Sequence, residues 1–367
     1  MTDGARAYLV PVGCVWGKGV GASSGVPGLS FPAYRLIVRD SGARLLDMVV
    51  QAQDVEEEFS SLPKSLGHQV ARQLEGFRTQ KSPLKMPNRS MPLGFSRPLV
   101  MGVLNVTPDS FSDGGKFLAS DSAIARARQM VAEGADIIDI GGESTRPGAK
   151  PVWEGEEADR VVPVIEALAN DGTPLSIDTR HSTVMEKALK AGARIINDVS
   201  ALTYDGESMS VAAASDAPIV LMHAQGKPED MQDNPSYDDV LLDVYDYLEA
   251  RIDACVAAGI DRSRLIVDPG IGFGKRVVQD NLALMNGLAF FHALGCPVLL
   301  GASRKRFIGA ITGEENAEHR MPGSLAAALK GVEQGMQILR VHDVAETVQA
   351  VRLAQAMHDS AMMGATS

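Results

Sequence analysis

The chain is poor in cysteine, in aromatic residues and in positive charge. Its 367 residues include only three cysteines, and 5% of them are aromatic. Cys14, Cys255 and Cys296 show no paired spacing, which argues against a disulfide framework and a structural zinc site and favours a reducing compartment. The formal net charge of -11 argues against non-specific binding to nucleic acid or to an anionic membrane surface.

Long apolar runs and several common catalytic motifs are also missing. No stretch approaches the roughly 18 residues that a membrane span needs, and the N-terminus lacks a basic segment followed by a long apolar core, so we expect a cytoplasmic protein. The chain has no HExxH, no G-x-S-x-G, no P-loop and no cluster of Cys and His. Zinc hydrolysis, serine hydrolysis and P-loop phosphoryl transfer are therefore disfavoured.

The chain instead repeats one pattern between Leu99 and its C-terminus. Eight short runs rich in Val, Ile and Leu each end in a polar or charged residue, near Asn105, Asp139, Asp178, Asn197, His223, Asp268, Lys305 and Arg340. Continuous apolar runs indicate parallel strands buried on both faces, and the strands of barrel enzymes end in chemically active residues. The pattern predicts an α/β fold, a (β/α)8 TIM barrel, over residues 98–367. An open doubly wound sheet is the alternative, disfavoured because no fingerprint glycine loop follows the first strand.

The segments between these runs have helical features. Val344, Val348 and Val351 recur at helical spacing after the last run and predict a stripe that faces the strands. Six glycines stand one to three residues before a run, where a helix needs a left-handed residue to end: Gly134, Gly172, Gly192, Gly259, Gly295 and Gly335.

Residues 1–97 do not share this rhythm. Their first third is rich in Gly, Ser and Pro with short β-like runs, residues 64–79 are predicted to be helical, and about 81–97 form a linker. We interpret them as a small appended α+β segment of unknown function. Gly17, Gly19 and Ala22 loosely match a dinucleotide-binding glycine loop, but no helical pattern follows, so a flexible loop is favoured.

Two loops near the start of the predicted barrel carry polar and charged residues. Asn105 begins NVTPDSFSDGG, and its amide oxygen at the strand end could hold Mg²⁺ together with substrate phosphates and water. Asp139 ends the second strand, and Thr145 and Arg146 follow two glycines. Such loops can close over a ligand, and Arg146 suits an anion. A polar turn and a solvated arginine are the ordinary alternatives.

The middle strands end in groups that suit a polar heterocycle. Asp178, Asn197 and Asp268 combine acceptors and donors that match ring N–H, amino and carbonyl groups. Buried structural residues that cap the strands are the alternative. After Asp268, glycines at 270, 272 and 274 let the backbone approach a ligand, and Phe273 could supply an aromatic wall.

The last two strands supply local positive charge. SRKRF places Arg304, Lys305 and Arg306 together, and strand alternation directs Arg340 and His342 the same way. Lys305, Arg340 and His342 at adjacent strand ends suit an anionic group, in the region where barrels commonly bind phosphate. A solvated basic face is the alternative.

Eight segments, taken in order, resemble the dihydropteroate synthases of the folate pathway. They run from about Leu99 to Ala356 and are MGVLNVTPDSFSDGG, GGESTRPG, SIDT, INDVSAL, LMHAQGKPEDMQ, DPGIGFGK, ASRK and RVHD. The resemblance implies a transferase on a β/α barrel that joins p-aminobenzoate to 6-hydroxymethyl-7,8-dihydropterin pyrophosphate. It also implies a need for Mg²⁺, release of pyrophosphate and a homodimer.

The resemblance assigns a role to each candidate residue. It implies that Asp178, Asn197, Asp268 and Lys305 hold the pterin, with Met222 or His223 in its wall, and that Asn105 binds the metal. Arg340 and His342 would receive the pyrophosphate. Thr145, Arg146 and Pro147 resemble a loop that helps to form the p-aminobenzoate pocket, with Phe273 in its wall, while Asp139 would support loop order or the developing positive charge.

One position departs from the family pattern. Arg306 stands where many relatives have a serine that is associated with the p-aminobenzoate carboxylate. Either the Arg306 guanidinium pairs with that carboxylate, or its backbone N–H suffices and the side chain faces solvent, which we favour. The rival functions are a folate-dependent methyltransferase on the same barrel and a non-catalytic pterin-binding protein.

Overall fold

A computed structural model describes residues 4–17, 21–107, 116–143, 152–226 and 231–363. Its strands are β1 (Arg6–Val12), β2 (Val15–Trp16), β3 (Ala22–Ser23), β4 (Leu29–Phe31), β5 (Ala33–Asp40), β6 (Ala43–Gln51), β7 (Leu99–Asn105), β8 (Ile137–Gly141), β9 (Leu175–Asp178), β10 (Ile195–Asp198), β11 (Ile219–Met222), β12 (Leu265–Asp268), β13 (Leu299–Leu300) and β14 (Ile338–Val341).

The α-helices alternate with the strands in the second part of the chain. They are α1 (Val55–Ser60), α2 (Lys64–Arg78), α3 (Lys116–Glu133), α4 (Glu154–Leu168), α5 (Ser182–Ala191), α6 (Ser208–Ala214), α7 (Val240–Ala257), α8 (Gln279–Asn286), α9 (Arg306–Thr312), α10 (Met321–Glu333) and α11 (Val344–Met363). Short 3-10 helices cover Arg262–Arg264, Leu288–Leu294 and Ala317–Arg320. Among the described helices, none combines the length and the apolar character that crossing a membrane requires.

The eight strands from β7 to β14 form one parallel sheet that closes into a barrel. Their order is β12-β11-β10-β9-β8-β7-β14-β13. A parallel bridge between Val267 and Val298 joins the two ends of that order and completes the ring. The strands are buried along almost their whole length, as their continuous apolar sequences predict. The predicted TIM barrel is confirmed.

The N-terminal end of the barrel is closed by the segment that follows α2. Leu84 and Leu93 form an antiparallel bridge, with N···O distances of 2.8 and 3.0 Å. Leu84 is fully buried and belongs, with Met86, to an apolar cluster whose other buried members come from the barrel strands: Leu99, Met101, Ile137, Ile195, Val220, Ile266, Leu299 and Ile338. The segment that we interpret as a linker thus fills the bottom of the barrel.

Two small antiparallel sheets and two helices make up the N-terminal region. The sheet orders are β1-β5-β6 and β2-β4-β3. Helix α2 packs along the edge of β1, where the side-chain amides of Gln69 and Gln73 bond to the strand's backbone. Helix α2 matches the helix that the sequence predicts for residues 64–79.

This N-terminal region shares its hydrophobic core with the barrel. Tyr8 of β1 makes edge contacts with Tyr245 of α7 and with Phe290, and the latter two rings stack with centroids 4.4 Å apart. All three side chains are buried. One continuous apolar cluster therefore runs from the appended segment into the outer layer of the barrel.

Candidate active site

Four polar side chains meet at the carboxyl ends of neighbouring barrel strands. Asp139 of β8 is fully buried; its Oδ2 accepts a bond of 3.0 Å from Asn197 Nδ2 and one of 2.6 Å from Arg340 Nε. Arg340 Nη2 donates to Asp178 Oδ2 at 2.6 Å. Parallel strands bring their carboxyl ends to one face, so residues distant in sequence form one network.

This network leaves two acceptors unused. Asp139 Oδ1 and Asp178 Oδ1 are buried and have no hydrogen-bond partner within the described part of the chain. Buried oxygens without partners are costly in a fold and are suited to accept N–H groups from a ligand. The site is therefore built to receive a donor-rich molecule beside Asp178.

Burial and charge act against each other in this cluster. Burial raises the pKa of Asp178, while Arg340 opposes the rise and Asp139 adds to it. Burial likewise raises the pKa of Asp268, opposed by the Gly270 backbone N–H and by Lys305. Burial alone would lower the pKa of Arg340, but Asp139 and Asp178 outweigh it and raise that pKa. The guanidinium therefore stays charged between the two carboxylates.

The loop after β12 forms a second wall of the site. Asp268 Oδ1 accepts a 2.7 Å bond from the Gly270 backbone N–H, which turns the chain sharply. The ring of Phe273 lies under the ammonium of Lys305, with Nζ 3.9 Å from the ring centroid. Lys305 therefore faces the loop that carries Phe273.

The SRKRF segment orients its three basic side chains differently. Arg304 has a left-handed backbone with φ of +59°, and its guanidinium pairs with Asp343 at 2.6 Å. Lys305 caps α9 and contacts Phe273, whereas the Arg306 side chain is exposed to solvent. Only Lys305 of the three is directed toward the loop of Phe273.

The side chains predicted to bind an anion make different contacts. His342 Nδ1 lies 3.1 Å from Ser303 Oγ, which also accepts the His342 backbone N–H. Arg340 contacts Asp139 and Asp178, so it lies with the predicted heterocycle group. A ligand that bonds to the carboxylates of Asp139 and Asp178 would replace the Arg340 guanidinium there and free it to bind an anion.

Other predicted residues have different surroundings. Asn105 is half-buried at the end of β7, and Met222 is buried at the end of β11 with its Cγ near Gly270. His223 is buried, and its pKa lies well below the usual value because of burial and the nearby Lys275. The predicted loop residues Thr145, Arg146 and Pro147 lie outside the described residues, as do 108–115.

Two supporting features escaped the sequence analysis. Lys275 is fully buried, with Nζ 2.9 Å from His223 Nδ1 and bonded to the carbonyls of His223 and Phe273. Glu143 and Arg180 form a buried two-point ion pair, and Glu143 also accepts from the Val152 N–H, beyond the second loop. Both residues lie in motifs of the sequence, Lys275 in DPGIGFGK and Glu143 in GGESTRPG.

Comparison with known proteins decides the family. The pattern that defines the family of pterin binding enzymes matches residues 101–342. The dihydropteroate synthase of Neisseria meningitidis serogroup B is 50% identical over 270 residues, which cover 72% of this chain and 94% of that protein. The chain belongs to the dihydropteroate synthases.

Solved structures of dihydropteroate synthases agree. One from Xanthomonas albilineans with 4-aminobenzoic acid superposes with a TM-score of 0.71 at 47% identity, covering 76% of this chain and 100% of that one. One from Burkholderia cenocepacia complexed with 7,8-dihydropteroate gives a TM-score of 0.69 at 44% identity, covering 76% and 97%. The family resemblance inferred from the motifs is confirmed, and residues 1–97 lie outside the family match.

Proposed function

We propose that this chain catalyses the condensation of 6-hydroxymethyl-7,8-dihydropterin pyrophosphate with p-aminobenzoate to give 7,8-dihydropteroate and pyrophosphate. The observation that carries the proposal is a pair of buried oxygens, Asp139 Oδ1 and Asp178 Oδ1, that have no partner among the described residues and belong to a network with Asn197 and Arg340. Family membership supports it, as do the printed ligands of two solved relatives, 4-aminobenzoic acid and 7,8-dihydropteroate.

The pterin is held by the strand ends of β9, β10 and β12. The Asp178 carboxylate accepts N–H groups of the pterin, Asn197 offers an amide, and Asp268 and Lys305 close the other side. Asp178 Oδ2 is bonded to Arg340, so pterin binding competes with that pair. The guanidinium then becomes available to the pyrophosphate.

The leaving group is stabilised by positive charge around the last strands. Arg340, His342 and Lys305 are the groups that would receive pyrophosphate. Asn105 fits a magnesium ion of the kind that keeps few protein ligands and binds mainly through substrate phosphates and water. Such an ion would supply further neutralisation of the pyrophosphate charge.

The reaction needs no nucleophilic side chain. The bond between the pterin methylene carbon and the pyrophosphate oxygen breaks while positive charge develops on that carbon. The lone pair of the neutral arylamine nitrogen then forms a bond to the carbon, and the nitrogen loses a proton to water or to the released pyrophosphate. The protein's part is to align the two substrates and to stabilise separating charge. Asp139 keeps Arg340 oriented and offsets positive charge that develops on the pterin.

Thr145, Arg146, Pro147 and Phe273 complete the proposed p-aminobenzoate pocket. The role of Phe273 is supported by its position beside Lys305, because the Lys305 ammonium contacts one face of the ring and Lys305 is itself a proposed pterin ligand. The roles of the three loop residues rest on the family resemblance alone.

One assay separates this function from its rivals. Protein, Mg²⁺, pterin pyrophosphate and p-aminobenzoate are mixed, and the release of pyrophosphate is measured over time. The Lys305→Ala variant is measured in the same way as a control. We expect steady release by the wild-type chain and little release by the variant. The melting temperature of the variant should stay unchanged, because Lys305 is half-exposed and fills no core volume. Release no faster than without protein would leave a methyltransferase or a non-catalytic pterin-binding protein.

A homodimer also belongs to this proposal. Helices α10 and α11 pack side by side, and Leu329, Leu353 and Met357 are exposed on them. Exposed apolar side chains on adjacent helices suit an isologous contact with a second copy. The mass measured in solution should be that of a dimer, and Leu353→Asp should shift it toward the monomer. A monomeric wild-type chain would refute the proposed dimer.

The cytoplasmic location of the protein stays a prediction.

A further inference from the structure

The hairpin formed by β5 and β6 reaches from the N-terminal region to the start of helix α7. Arg39 and Arg44 stand on its two strands, and its turn passes so close to the barrel that a Cβ on Gly42 would lie 3.1 Å from Asp238 Oδ2. The contact is therefore with the segment that leads into α7 as well as with the helix itself.

Two carboxylates at the start of α7 serve both the helix and the hairpin. Asp239 is the N-cap: its Oδ1 accepts backbone N–H groups of α7, while its Oδ2 accepts from Arg44 Nη2. Asp243 Oδ2 accepts the backbone N–H groups of residues 238 and 239, at 3.0 and 3.2 Å, while its Oδ1 pairs with Arg39 at 2.5 Å. The hairpin thus fixes the residues that begin the helix.

The segment before α7 in turn holds the loop of Phe273. Tyr237 Oη donates to the carbonyl of Gly274, and Gln232 Nε2 donates to the carbonyl of Gly272 at 2.7 Å. These two carbonyls flank Phe273 on either side. Tyr237 is two residues from Asp239, so a displacement of the α7 start reaches the loop directly through the Tyr237 hydrogen bond.

We propose that Arg44, through Asp239, and Arg39, through Asp243, are positioning residues. Both fix the start of α7 and thereby set the p-aminobenzoate pocket through Tyr237 and the Gly274 carbonyl. The appended region then has a task in the reaction: it fixes the place of the Phe273 ring from outside the barrel. This inference rests on the proposed function only where it assigns Phe273 to that pocket.

The test compares Arg44→Ala with Arg35→Ala as the matched control. Arg35 lies on β5 of the same sheet and pairs with Asp47, which Arg44 also contacts, but it reaches no residue of α7. We expect Arg44→Ala to raise KM for p-aminobenzoate about fivefold, the lower end of typical coupling between sites, with kcat within about twofold of wild type. Arg35→Ala should change neither, and Arg44→Lys should restore much of the loss.

A double variant tests the route. Tyr237→Phe removes one hydroxyl and leaves the hairpin contacts intact, so it should raise KM for p-aminobenzoate by a similar factor. If Arg44 acts through Tyr237, the combined Arg44→Ala and Tyr237→Phe variant should show no further rise, whereas independent effects would multiply. Multiplied effects would overturn the proposed route.

Hydrogen exchange supplies a readout that does not depend on activity. Arg44→Ala should speed exchange of the amides in residues 270–275 and 236–239 relative to Arg35→Ala, because the loop loses an anchor. Equal exchange at 270–275, or an unchanged KM, would overturn the inference. A wild-type chain that releases no pyrophosphate would instead refute the proposed function. The exchange comparison would still decide whether Arg44 fixes the loop of Phe273.

Discussion

At the scale of single residues, Asp178 has the most demanding position in the site. Its two oxygens differ: Oδ2 is paired with Arg340, and Oδ1 is buried without a partner in the described structure. Burial raises the pKa of this carboxyl from 3.8 to about 7 despite the guanidinium. This shift contributes to the stability of the fold below pH about 4, and the contribution is lost as the pH rises through about 7.

Pterin binding should follow the ionised form of Asp178. Only the carboxylate accepts two N–H groups, so we expect KM for the pterin pyrophosphate to fall as the pH rises from about 6 to about 8. Asp178→Asn removes the titrating group and presents an N–H toward a donor; it should weaken pterin binding by at least tenfold, about 1.4 kcal/mol. Steady-state KM across this pH range measures both effects. A fall of equal size in the Asn variant would contradict this assignment.

The exposure of Arg306 leads to a second prediction, about p-aminobenzoate binding. Its side chain is exposed at the start of α9, so we expect Arg306→Ser to leave KM for p-aminobenzoate within about twofold of wild type. The backbone N–H is unchanged by this substitution. A rise in KM of tenfold or more would mean that the guanidinium itself binds the substrate carboxylate.

At the scale of elements, the strands could be predicted from the sequence and the side-chain network could not. Buried parallel strands have continuous apolar runs, so all eight could be placed, and the glycines before them do have positive φ. Val344, Val348 and Val351 are buried along α11 as their helical spacing predicts. Local periodicity was sufficient in each of these cases.

The partners of long side chains depend on geometry that periodicity does not contain. Arg340 can reach either an anion or the neighbouring carboxylates. The register of β14 against β7 and of β7 against β8 decides the outcome. Lys275 returns toward His223 only because the DPGIGFGK loop turns through three left-handed glycines. Residues 81–97 contain prolines typical of a linker. Pro87 and Asn88 form a turn, with φ of +56° at Asn88, but a turn motif does not specify that Leu84 pairs with Leu93 inside the barrel.

The sharp turn after β12 can be tested at Gly270. Its φ is +67°, and a Cβ would lie 1.9 Å from the His223 carbonyl oxygen, so Gly270→Ala must displace the loop. We expect a loss of about 2–4 kcal/mol in unfolding free energy and severe loss of turnover. Gly259 is the control: its φ is +90°, but no atom lies within 4 Å of the added Cβ. Gly259→Ala should cost only about 1 kcal/mol and keep activity. Equal costs in urea unfolding would contradict the steric argument.

At the scale of the whole molecule, the appended region and the barrel should unfold together. A single apolar cluster contains Tyr8, Phe31 and Phe77 from one and Phe290 and Phe291 from the other. Lys81 ties them further, since its buried ammonium donates to the carbonyls of Gly76 and His292. Shared burial couples the two parts more strongly than exposed ion pairs do.

Gly76 on α2 is where this coupling can be broken. A Cβ there would lie 2.0 Å from the carbonyl oxygen of Ala293, so Gly76→Ala forces α2 away from the barrel. Trp16 fluorescence, in a Trp153→Phe background, reports on the appended region, and far-UV circular dichroism reports mainly on the barrel. We expect coincident thermal transitions for the parent chain and, for Gly76→Ala, a fluorescence transition several degrees below the other.

Gly67 provides the matched control within the same helix. A Cβ there would lie 3.3 Å from the Phe59 carbonyl oxygen, a contact that a small shift relieves, and alanine favours the helix over glycine by about 1 kcal/mol. Gly67→Ala should therefore keep the two transitions coincident. Two separate transitions in the parent chain would show that the appended region folds independently, and the positioning role of its hairpin would then depend on surface ion pairs alone.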